Sequence, residues 1–232
     1  MTDSAVNWFR DLIVKSWKKR FALVLVFIFL GVVGGFFEFA SEVREKETEK
    51  FDEAVMLAIR ESDPTRSPRV GEIARDLTAL GGVTVLTIVT LVSFGVAVFS
   101  GRTKLGWLGV SAVVAGSLAT SLLKHSYDRP RPDLFEHGSW VYNASFPSGH
   151  SMMSAVVYLT LGILVARIQS RRAVRWFIVS ISIMLTLLVG FSRIYLGVHW
   201  PTDVAGGWML GGAWAVLVWI VAMKVDPVRR EE

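Results

Sequence analysis

The sequence of 232 residues contains no cysteine and only four histidines. Without cysteine the chain can form no disulfide, no thiolate nucleophile and no Cys-ligated metal site. The histidines lack a supporting carboxylate cluster and the HExxH spacing of zinc enzymes, so we predict no metal and no other cofactor. Repeats, low-complexity tracts and nucleic-acid-binding motifs are also missing, so the net charge of +5 does not predict a nucleic-acid partner.

Long apolar runs dominate what is present. Hydrophobic residues make up 52% of the chain, and the mean hydropathy is +0.47. Several runs approach the ~20 residues that cross a hydrocarbon core of ~30 Å. We therefore predict an all-α polytopic membrane protein, with six transmembrane helices in one bundle and a single domain over residues 1–232. The predicted spans are Phe21–Phe37, Ala79–Phe99, Leu105–Leu123, Ser151–Ile168, Val174–Phe191 and Val204–Met223.

The basic stretch before the first run resembles the start of a signal peptide. The run is longer than a usual signal core, and cleavage after Ala40 would place Glu38 where a small residue is required. We therefore interpret Phe21–Phe37 as a first span that is retained.

Residues 41–78 form the one long polar insertion between predicted spans, and we place it on the extracytoplasmic side. Its middle is predicted to be an amphipathic helix, which Asp63-Pro64 and Ser67-Pro68 end. The apolar face of this helix could lie in the membrane interface or pack on the bundle, and the sequence favours neither. The residues of that face are Phe51, Ala54, Val55, Ala58 and Ile59.

Basic residues are distributed unevenly between the two predicted sides. Fourteen Lys and Arg residues, with few acids, lie in the two termini and in the loops after the second and fourth spans. On the other side, seven of the eleven basic residues lie in the insertion among ten acids. The positive-inside rule therefore predicts cytoplasmic termini. The loops after the first, third and fifth spans are then extracytoplasmic.

Three polar clusters interrupt the apolar sequence, and all three can meet at the extracytoplasmic face. Lys124, Arg131 and Arg193 would supply three positive charges there. Cations beside a bilayer core are costly unless a bound anion offsets the cost, and Arg offers a planar fork suited to phosphate. The clusters are Lys124–Pro132, Pro147–His150, and the set Ser192, Arg193, His199 and Asp203.

The second cluster has the features of an anion-binding helix N-terminus. Ser148 is a favoured N-cap residue, and Gly149 lets the backbone approach a ligand closely. Free amide groups and the helix dipole at such a terminus attract phosphate. Alone, Pro-Ser-Gly-His is more often an ordinary cap, so the prediction depends on the conjunction of all three clusters.

The third cluster predicts an activated histidine. His199 and Asp203 are four residues apart, so both side chains lie on one face where the last span begins. A carboxylate bonded to one imidazole nitrogen fixes the tautomer and leaves the other nitrogen free to attack. His150 is then available to protonate a leaving oxygen. His125 and His137 fit no role.

These clusters resemble the three signatures of the type 2 phosphatidic acid phosphatase superfamily, which includes vanadium haloperoxidases and bacterial acid phosphatases. The first signature is Lys, six residues, then Arg-Pro, here Lys124 and Arg131-Pro132. The second is Pro-Ser-Gly-His, here Pro147–His150. The third is Ser-Arg, five residues, His, three residues, Asp, which ends at Asp203. The insertion 41–78 is outside all three.

The resemblance implies a metal-independent phosphohistidine mechanism. His199 would attack phosphorus, Asp203 would orient it, and His150 would act as general acid. The phosphoryl oxygens would be bound by Lys124, Arg131, Ser148, Gly149 and Arg193. Because the haloperoxidases and acid phosphatases are soluble, the six predicted spans favour the lipid phosphatase branch.

We therefore predict a lipid phosphatase at the outer face of a bacterial-type inner membrane, with a lipid phosphate as its partner. The candidate substrates are undecaprenyl diphosphate and lipids of the phosphatidate or phosphatidylglycerol phosphate class, and headgroup contacts are expected from residues 41–78 and 133–146. The alternatives are a lipid phosphotransferase on the same scaffold and a non-catalytic lipid-phosphate carrier or sensor. A small transporter is disfavoured because its inverted repeats and half-helices are not evident. The sequence predicts no particular oligomeric state.

Overall fold

A computed structural model describes residues 3–63, 67–124, 126–134, 136–138 and 144–226 of the chain, with side chains from residue 19 onward. Within these ranges the chain forms eight helices and no strand. The helices are α1 Asp3–Arg44, α2 Glu49–Ser62, α3 Pro68–Ala79, α4 Val83–Phe99, α5 Thr103–Lys124, α6 Gly149–Ile168, α7 Arg172–Tyr195 and α8 Pro201–Val225, and α6 includes a π-helical turn at Ala155–Leu159.

Five of these helices are long and apolar enough to cross a membrane: α1 from Lys19 onward, α5, α6, α7 and α8. Helices α3 and α4 taken together are also long and apolar enough to cross a membrane, although the pair bends by 48° at the break between them. The described part of the chain thus has five candidate spans, or six if the bent pair is one span. It is a multi-pass membrane protein, as its apolar runs predicted.

The predicted bounds differ from the structure at two places. The second predicted span, Ala79–Phe99, begins at the last residue of α3, and the helix is interrupted at residues 80–82, which include Gly81 and Gly82. Glycine weakens helices because it loses the most backbone freedom. The first predicted span, Phe21–Phe37, is the apolar centre of a longer α1, since charged flanks form helix as readily as apolar ones.

Helix α6 is the central helix of the bundle, because 67% of the residues in its most apolar stretch are buried, against 11% in that of α1. It packs against α4, α5, α7 and α8. The contact with α8 is close: a Cβ added at Gly211 would lie 2.4 Å from Ala155 Cβ and 2.8 Å from the Met152 carbonyl oxygen. Small residues allow such backbone approach between membrane helices. The N-termini of α6 and α8 therefore meet at one end of the bundle.

Helix α2, in the middle of the insertion, packs against this same end. Met56 is buried, and Ile59 packs with it against Ile194 and Trp200 of the bundle. The predicted apolar face is only partly packed on the bundle, because Phe51 is 59% exposed and Ala54 and Ala58 are exposed as well. The predicted helix ends are confirmed, since α2 ends at Ser62 and α3 begins at Pro68. Packing on the bundle is thus what the structure shows for α2.

Candidate active site

The three polar clusters converge where α5 ends and α6 and α8 begin. The Ser148 amide donates to the Asp203 carbonyl oxygen at 2.9 Å, which joins the second cluster to the third. Arg131 Nη1 lies 3.2 Å from His199 Nε2, which joins the first cluster to the third. Lys124 lies against Gly149, since a Cβ there would be 3.1 Å from the ammonium nitrogen.

His199 and Asp203 form a buried pair, each at most 1% exposed. Pro201 begins α8, and Asp203 is its third residue. From there Asp203 Oδ2 accepts the Trp200 amide at 2.9 Å and faces His199 Nδ1 at 3.3 Å. The hydroxyl of Ser145 also donates to Oδ2. A carboxylate that faces Nδ1 favours the tautomer with the proton there, so Nε2 keeps its lone pair.

Burial lowers the pKa of His199 to about 4, because the buried site disfavours the charged imidazolium. The bond to Asp203 and the charge of that carboxylate raise this pKa, while the positive charges of Arg131 and Arg193 lower it further. Desolvation is the largest of these effects. His199 is therefore the neutral imidazole near pH 7, which is the form with a free lone pair.

Three cations surround the Nε2 side of His199. Arg131 donates from Nη1 to the Val198 carbonyl oxygen at 2.6 Å, and burial lowers its pKa. Arg193 is 3% exposed and donates to the Thr78 hydroxyl at 2.8 Å, while its Nε has no hydrogen-bond partner in the described part of the chain. Lys124, at the end of α5, completes the set. An anion placed among these groups would offset their mutual repulsion.

The N-terminus of α6 contributes amide groups to the same place. Ser148 occupies the N-cap position as predicted, but its side chain caps no amide and instead accepts a bond from the Ser151 hydroxyl at 3.0 Å. Within the described ranges, the amides of Gly149, His150 and Ser151, in the first turn of α6, have no acceptor in the protein. Such free amides at a helix N-terminus are suited to bind oxyanions.

The break between α3 and α4 borders the site on the side of His150. A Cβ added at Gly81 would lie 3.1 Å from His150 Cδ2, so the backbone passes directly over the imidazole ring. The Tyr158 hydroxyl donates to the Leu80 carbonyl oxygen at 2.7 Å, which holds the break against α6. The break at residues 80–82, which falls inside the second predicted span, therefore contributes part of the wall of the site.

All eight predicted site residues thus lie at one end of the bundle. Of the two histidines predicted to have no role, His137 contacts the carbonyl oxygen of Pro132, the last residue of the first cluster, at 2.6 Å, and His125 lies outside the described residues. Among the described residues no group of three His, Cys, Asp or Glu side chains could hold a metal ion.

Sequence reasoning missed four polar side chains that support the site: Asp52, Thr78, Arg129 and Ser145. Arg129 donates to Asp203 Oδ1 at 2.6 Å and to Asp52 at 2.7 Å. Asp52 is completely buried, although it lies in the polar insertion. The Asp-Arg-Pro-Arg-Pro run at 128–132 offered a signal for Arg129, since it places two arginines beside one site. Nothing local marked Asp52.

Comparison with known proteins agrees with this geometry. A sequence model of the PAP2 superfamily matches residues 104–226, which include all three clusters. The chain is 32% identical to phosphatidylglycerophosphatase B of Bacillus subtilis (strain 168) over 176 residues, 74% of this chain and 83% of that protein. It is 26% identical to the undecaprenyl-diphosphatase of Sulfolobus acidocaldarius over 140 residues, 58% of this chain and 63% of that protein.

Among solved structures, the transmembrane PAP2 type phosphatidylglycerolphosphate phosphatase from Bacillus subtilis superposes with a TM-score of 0.78 and 28% identity. The superposition covers 87% of this chain and 98% of that one. The superfamily match extends over more than half of the chain, and the first curated relative over 74% of it. The chain therefore belongs to the PAP2 superfamily and is a phosphatase.

Proposed function

We propose that the chain is a membrane lipid phosphatase that acts through a phosphohistidine intermediate and needs no metal ion. The arrangement around His199 carries the proposal. Its Nδ1 faces Asp203 Oδ2 at 3.3 Å, while its Nε2 faces Arg131 at 3.2 Å. The proton is held on the carboxylate side, so the lone pair of Nε2 is directed towards the cations that would bind a phosphate.

In the first step the lone pair of His199 Nε2 attacks phosphorus, and the bond from phosphorus to the leaving oxygen breaks. The electron pair of that bond goes to the oxygen, which takes a proton from His150 acting as general acid. In the second step a water gives its proton to His150 and its oxygen attacks the phosphohistidine. The P–N bond breaks, inorganic phosphate leaves, and both histidines return to their starting forms.

The phosphoryl oxygens would be bound by cations and by the start of α6. Lys124, Arg131 and Arg193 neutralise their charge, and the Gly149 amide donates to one oxygen. Ser148 would contribute its hydroxyl, because its amide already bonds the Asp203 carbonyl oxygen. Donors that are fixed before the reaction stabilise the additional charge of the transition state without reorganising.

The substrate we propose is a lipid phosphate, of the phosphatidate or phosphatidylglycerol phosphate class or undecaprenyl diphosphate. The relatives support this range, since one is a phosphatidylglycerophosphatase and another an undecaprenyl-diphosphatase. The eight site residues would contact only the phosphate, which both classes share. The site lies at one end of the membrane helices, where a lipid headgroup would be expected to reside.

The test is phosphate release by the purified full chain in EDTA, from a panel that contains both lipid classes. We expect wild type to release phosphate from at least one lipid and His199→Ala to release none. His137→Gln is the matched control, because the described hydrogen bond of its ring is to the Pro132 carbonyl oxygen and to none of the eight proposed site residues, and it should keep wild-type activity. A wild type that is inactive in EDTA, or an active His199→Ala, would refute the mechanism. Phosphorylation of an added acceptor lipid would identify a phosphotransferase.

We also propose that the site faces the extracytoplasmic side of the cell membrane and that both termini are cytoplasmic. The support is the excess of basic residues in the loops at the opposite end. Because the chain lacks cysteine, Glu47→Cys at the site end and Lys104→Cys at the other end give single labels at exposed positions. An impermeant thiol reagent added outside should label Glu47→Cys alone. Labelling of Lys104→Cys alone would reverse the orientation.

A further inference from the structure

Asp52 is a buried carboxylate in a place where the sequence predicted a solvated insertion. It lies on α2, outside the three polar clusters and outside the residues that the superfamily model matches. Its exposed fraction is 0%. A carboxylate is strongly destabilised in such surroundings unless it is paired and hydrogen-bonded. Its partners therefore indicate why it is there.

Within the described ranges, the Asp52 carboxylate is bonded by Thr202 at the start of α8 and by Arg129 in the segment between α5 and α6. Asp52 Oδ1 accepts the Thr202 amide at 2.9 Å, and Oδ2 accepts the Thr202 hydroxyl at 2.6 Å. Oδ2 also accepts Arg129 Nη2 at 2.7 Å. Thr202 immediately precedes Asp203, so α2 is fixed to the turn of α8 that carries the carboxylate of the buried pair.

Arg129 uses the other branch of its guanidinium to hold Asp203. Its Nη1 donates to Asp203 Oδ1 at 2.6 Å and to the Thr202 hydroxyl at 2.8 Å. The guanidinium lies 5.6 Å from the ring of Trp200, and its side chain is 13% exposed. One planar fork is thus shared by two fully buried carboxylates, a geometry that Arg provides and Lys does not.

The two oxygens of Asp203 are held differently. Oδ2 receives the Trp200 amide and the Ser145 hydroxyl and faces His199. Among the described residues, the side-chain donor to Oδ1 is Arg129. Without Arg129 the Oδ1 side of the carboxylate would lose its donor, so the group could tilt about its Cβ–Cγ bond and weaken the alignment of Oδ2 with His199 Nδ1. The tautomer and the direction of the Nε2 lone pair depend on that alignment.

We propose that Asp52, acting through Arg129, is a positioning residue for the Asp203–His199 pair, so that α2 is a working part of the active site. The proposal rests on the proposed phosphohistidine mechanism. Asp52 touches neither the cations nor the α6 amides that would bind phosphate. Its loss should therefore slow the chemical step and leave substrate binding unchanged.

The test compares Asp52→Asn and Arg129→Lys with wild type in the purified full chain. Asn keeps the shape of Asp52 but loses its charge, and Lys keeps the charge of Arg129 but loses the fork. For both variants we expect kcat to fall about 10- to 100-fold, with KM within about threefold of wild type, since misalignment of a supporting group has effects of this size. The double variant should lose little more than the worse single one, because both act on one carboxylate.

Asp63→Asn is the matched control. Asp63 caps the other end of α2 and accepts a bond from the Tyr195 hydroxyl, so it also ties the insertion to the bundle, but away from Asp203. We expect its kcat to stay within about twofold of wild type. An equal fall of kcat in Asp63→Asn would show that general docking of α2 is responsible and would overturn the proposal.

A wild-type kcat in Asp52→Asn, or a change confined to KM, would overturn it as well. If thermal unfolding shows that Asp52→Asn does not fold, the test rests on Arg129→Lys. A wild-type kcat in Arg129→Lys would then contradict the proposal. Failure of the proposed function is a separate result. It appears as an active His199→Ala, whereas this proposal is judged against an active wild type and an inactive His199→Ala.

Discussion

The two ends of the helix bundle use the same residue types at nearly the same distance with different consequences. At the end away from the site, Arg102 Nη1 lies 2.7 Å from Asp226 Oδ1, and the side chains are 39% and 22% exposed. At the site end, Arg129 lies 2.7 Å from Asp52 and 2.6 Å from Asp203, with exposures of 13%, 0% and 0%. The Arg–Asp distances therefore do not distinguish the two ends of the bundle, whereas the burial of the side chains does.

Water explains why burial matters so much. When Arg102 or Asp226 loses its partner, solvent and salt replace much of the lost interaction. When Arg129 is lost, two carboxylates remain that no water reaches, and breaking a buried pair in this way is strongly destabilising. The exposed pair is suited to hold helix ends together. The buried network is suited to keep one carboxylate in one orientation.

The largest expected effect is that of Asp203→Asn, which breaks the buried network at its centre. An amide in place of the carboxylate can hold the wrong tautomer of His199, with the proton on Nε2. We expect kcat to fall about 10³- to 10⁴-fold with the fold intact, as for other carboxylate–histidine pairs. Rates of phosphate release measure this directly.

Asp226→Asn is the control for this comparison, because it makes the same chemical change at the exposed end. Its kcat should equal that of wild type. If the two substitutions lowered kcat to a similar extent, the distinction between the two ends would have no functional meaning.

The next effect is on the titration of His199. Burial lowers its pKa to about 4, from an ordinary value near 6.5. The imidazole should therefore stay neutral as the pH falls to about 5 and gain its proton only near pH 4. Histidine-selective ¹⁵N NMR of the free enzyme, with the resonance assigned by its loss in His199→Gln, measures the midpoint. A midpoint at or above 6.5 would contradict the buried site.

The same spectra test the opposing influence of Asp203. Because that carboxylate raises the pKa of His199, its replacement in Asp203→Asn should move the midpoint below that of wild type. An upward shift would mean that Asp203 does not interact with the imidazole as described.

A smaller effect is expected for Gly149→Ala, which adds one methyl group at the phosphate end. The new Cβ would lie 2.9 Å from Lys124 Cε and 3.1 Å from Nζ. The lysine side chain is flexible, so it should swing aside and carry its charge away from the phosphate. We expect KM to rise about tenfold, the equivalent of one weakened charged hydrogen bond, with a smaller change in kcat.

Gly34→Ala is the control for the added methyl group. Gly34 lies in α1, and a Cβ there would meet nothing within 4 Å. Its KM should match that of wild type. A KM that stays unchanged in Gly149→Ala would place the Lys124 ammonium outside the phosphate-binding set.

These comparisons also show which features the sequence could predict. Apolar runs are local, so α5, α6, α7 and α8 were found near their observed positions. The residues of the three clusters were found because their types and spacing carry the chemistry. The interruption at Gly81 was missed because Ala79 and Leu80 join the apolar run of α4 in the sequence, and a glycine pair inside a membrane run does not by itself require a break.

Asp52 was missed for a different reason. Helical periodicity assigns charged residues to the solvated face, so the sequence predicted an apolar face with Phe51, Ala54 and Ala58 and did not include Asp52 in it. The actual buried face includes Asp52 and Met56. The Asp52 carboxylate can be buried because the folded chain pairs it with Arg129, which is 77 positions away in the sequence. Pairing over such separations leaves no trace in local patterns.

The smallest effect is expected for Arg102→Ala at the exposed end. The substitution removes the ion pair with Asp226 but leaves Arg167, which donates to the Asp226 carbonyl oxygen at 2.6 Å and keeps the end of α8 in place. We expect the free energy of unfolding to fall by less than ~1 kcal/mol, because solvent screens such pairs. Thermal unfolding of the purified protein measures this, and kcat should not change.

Salt sharpens the same measurement. The difference in Tm between wild type and Arg102→Ala should shrink in 1 M NaCl, where the screening length falls to ~3 Å. The difference for Arg129→Lys should persist, because its partners Asp52 and Asp203 are buried and mobile ions do not reach them. If salt instead removed the Arg129→Lys difference, the site-end network would be open to solvent. Burial would then no longer distinguish the ion pairs at the two ends of the bundle. A group other than Arg129 would have to keep Asp203 aligned with His199.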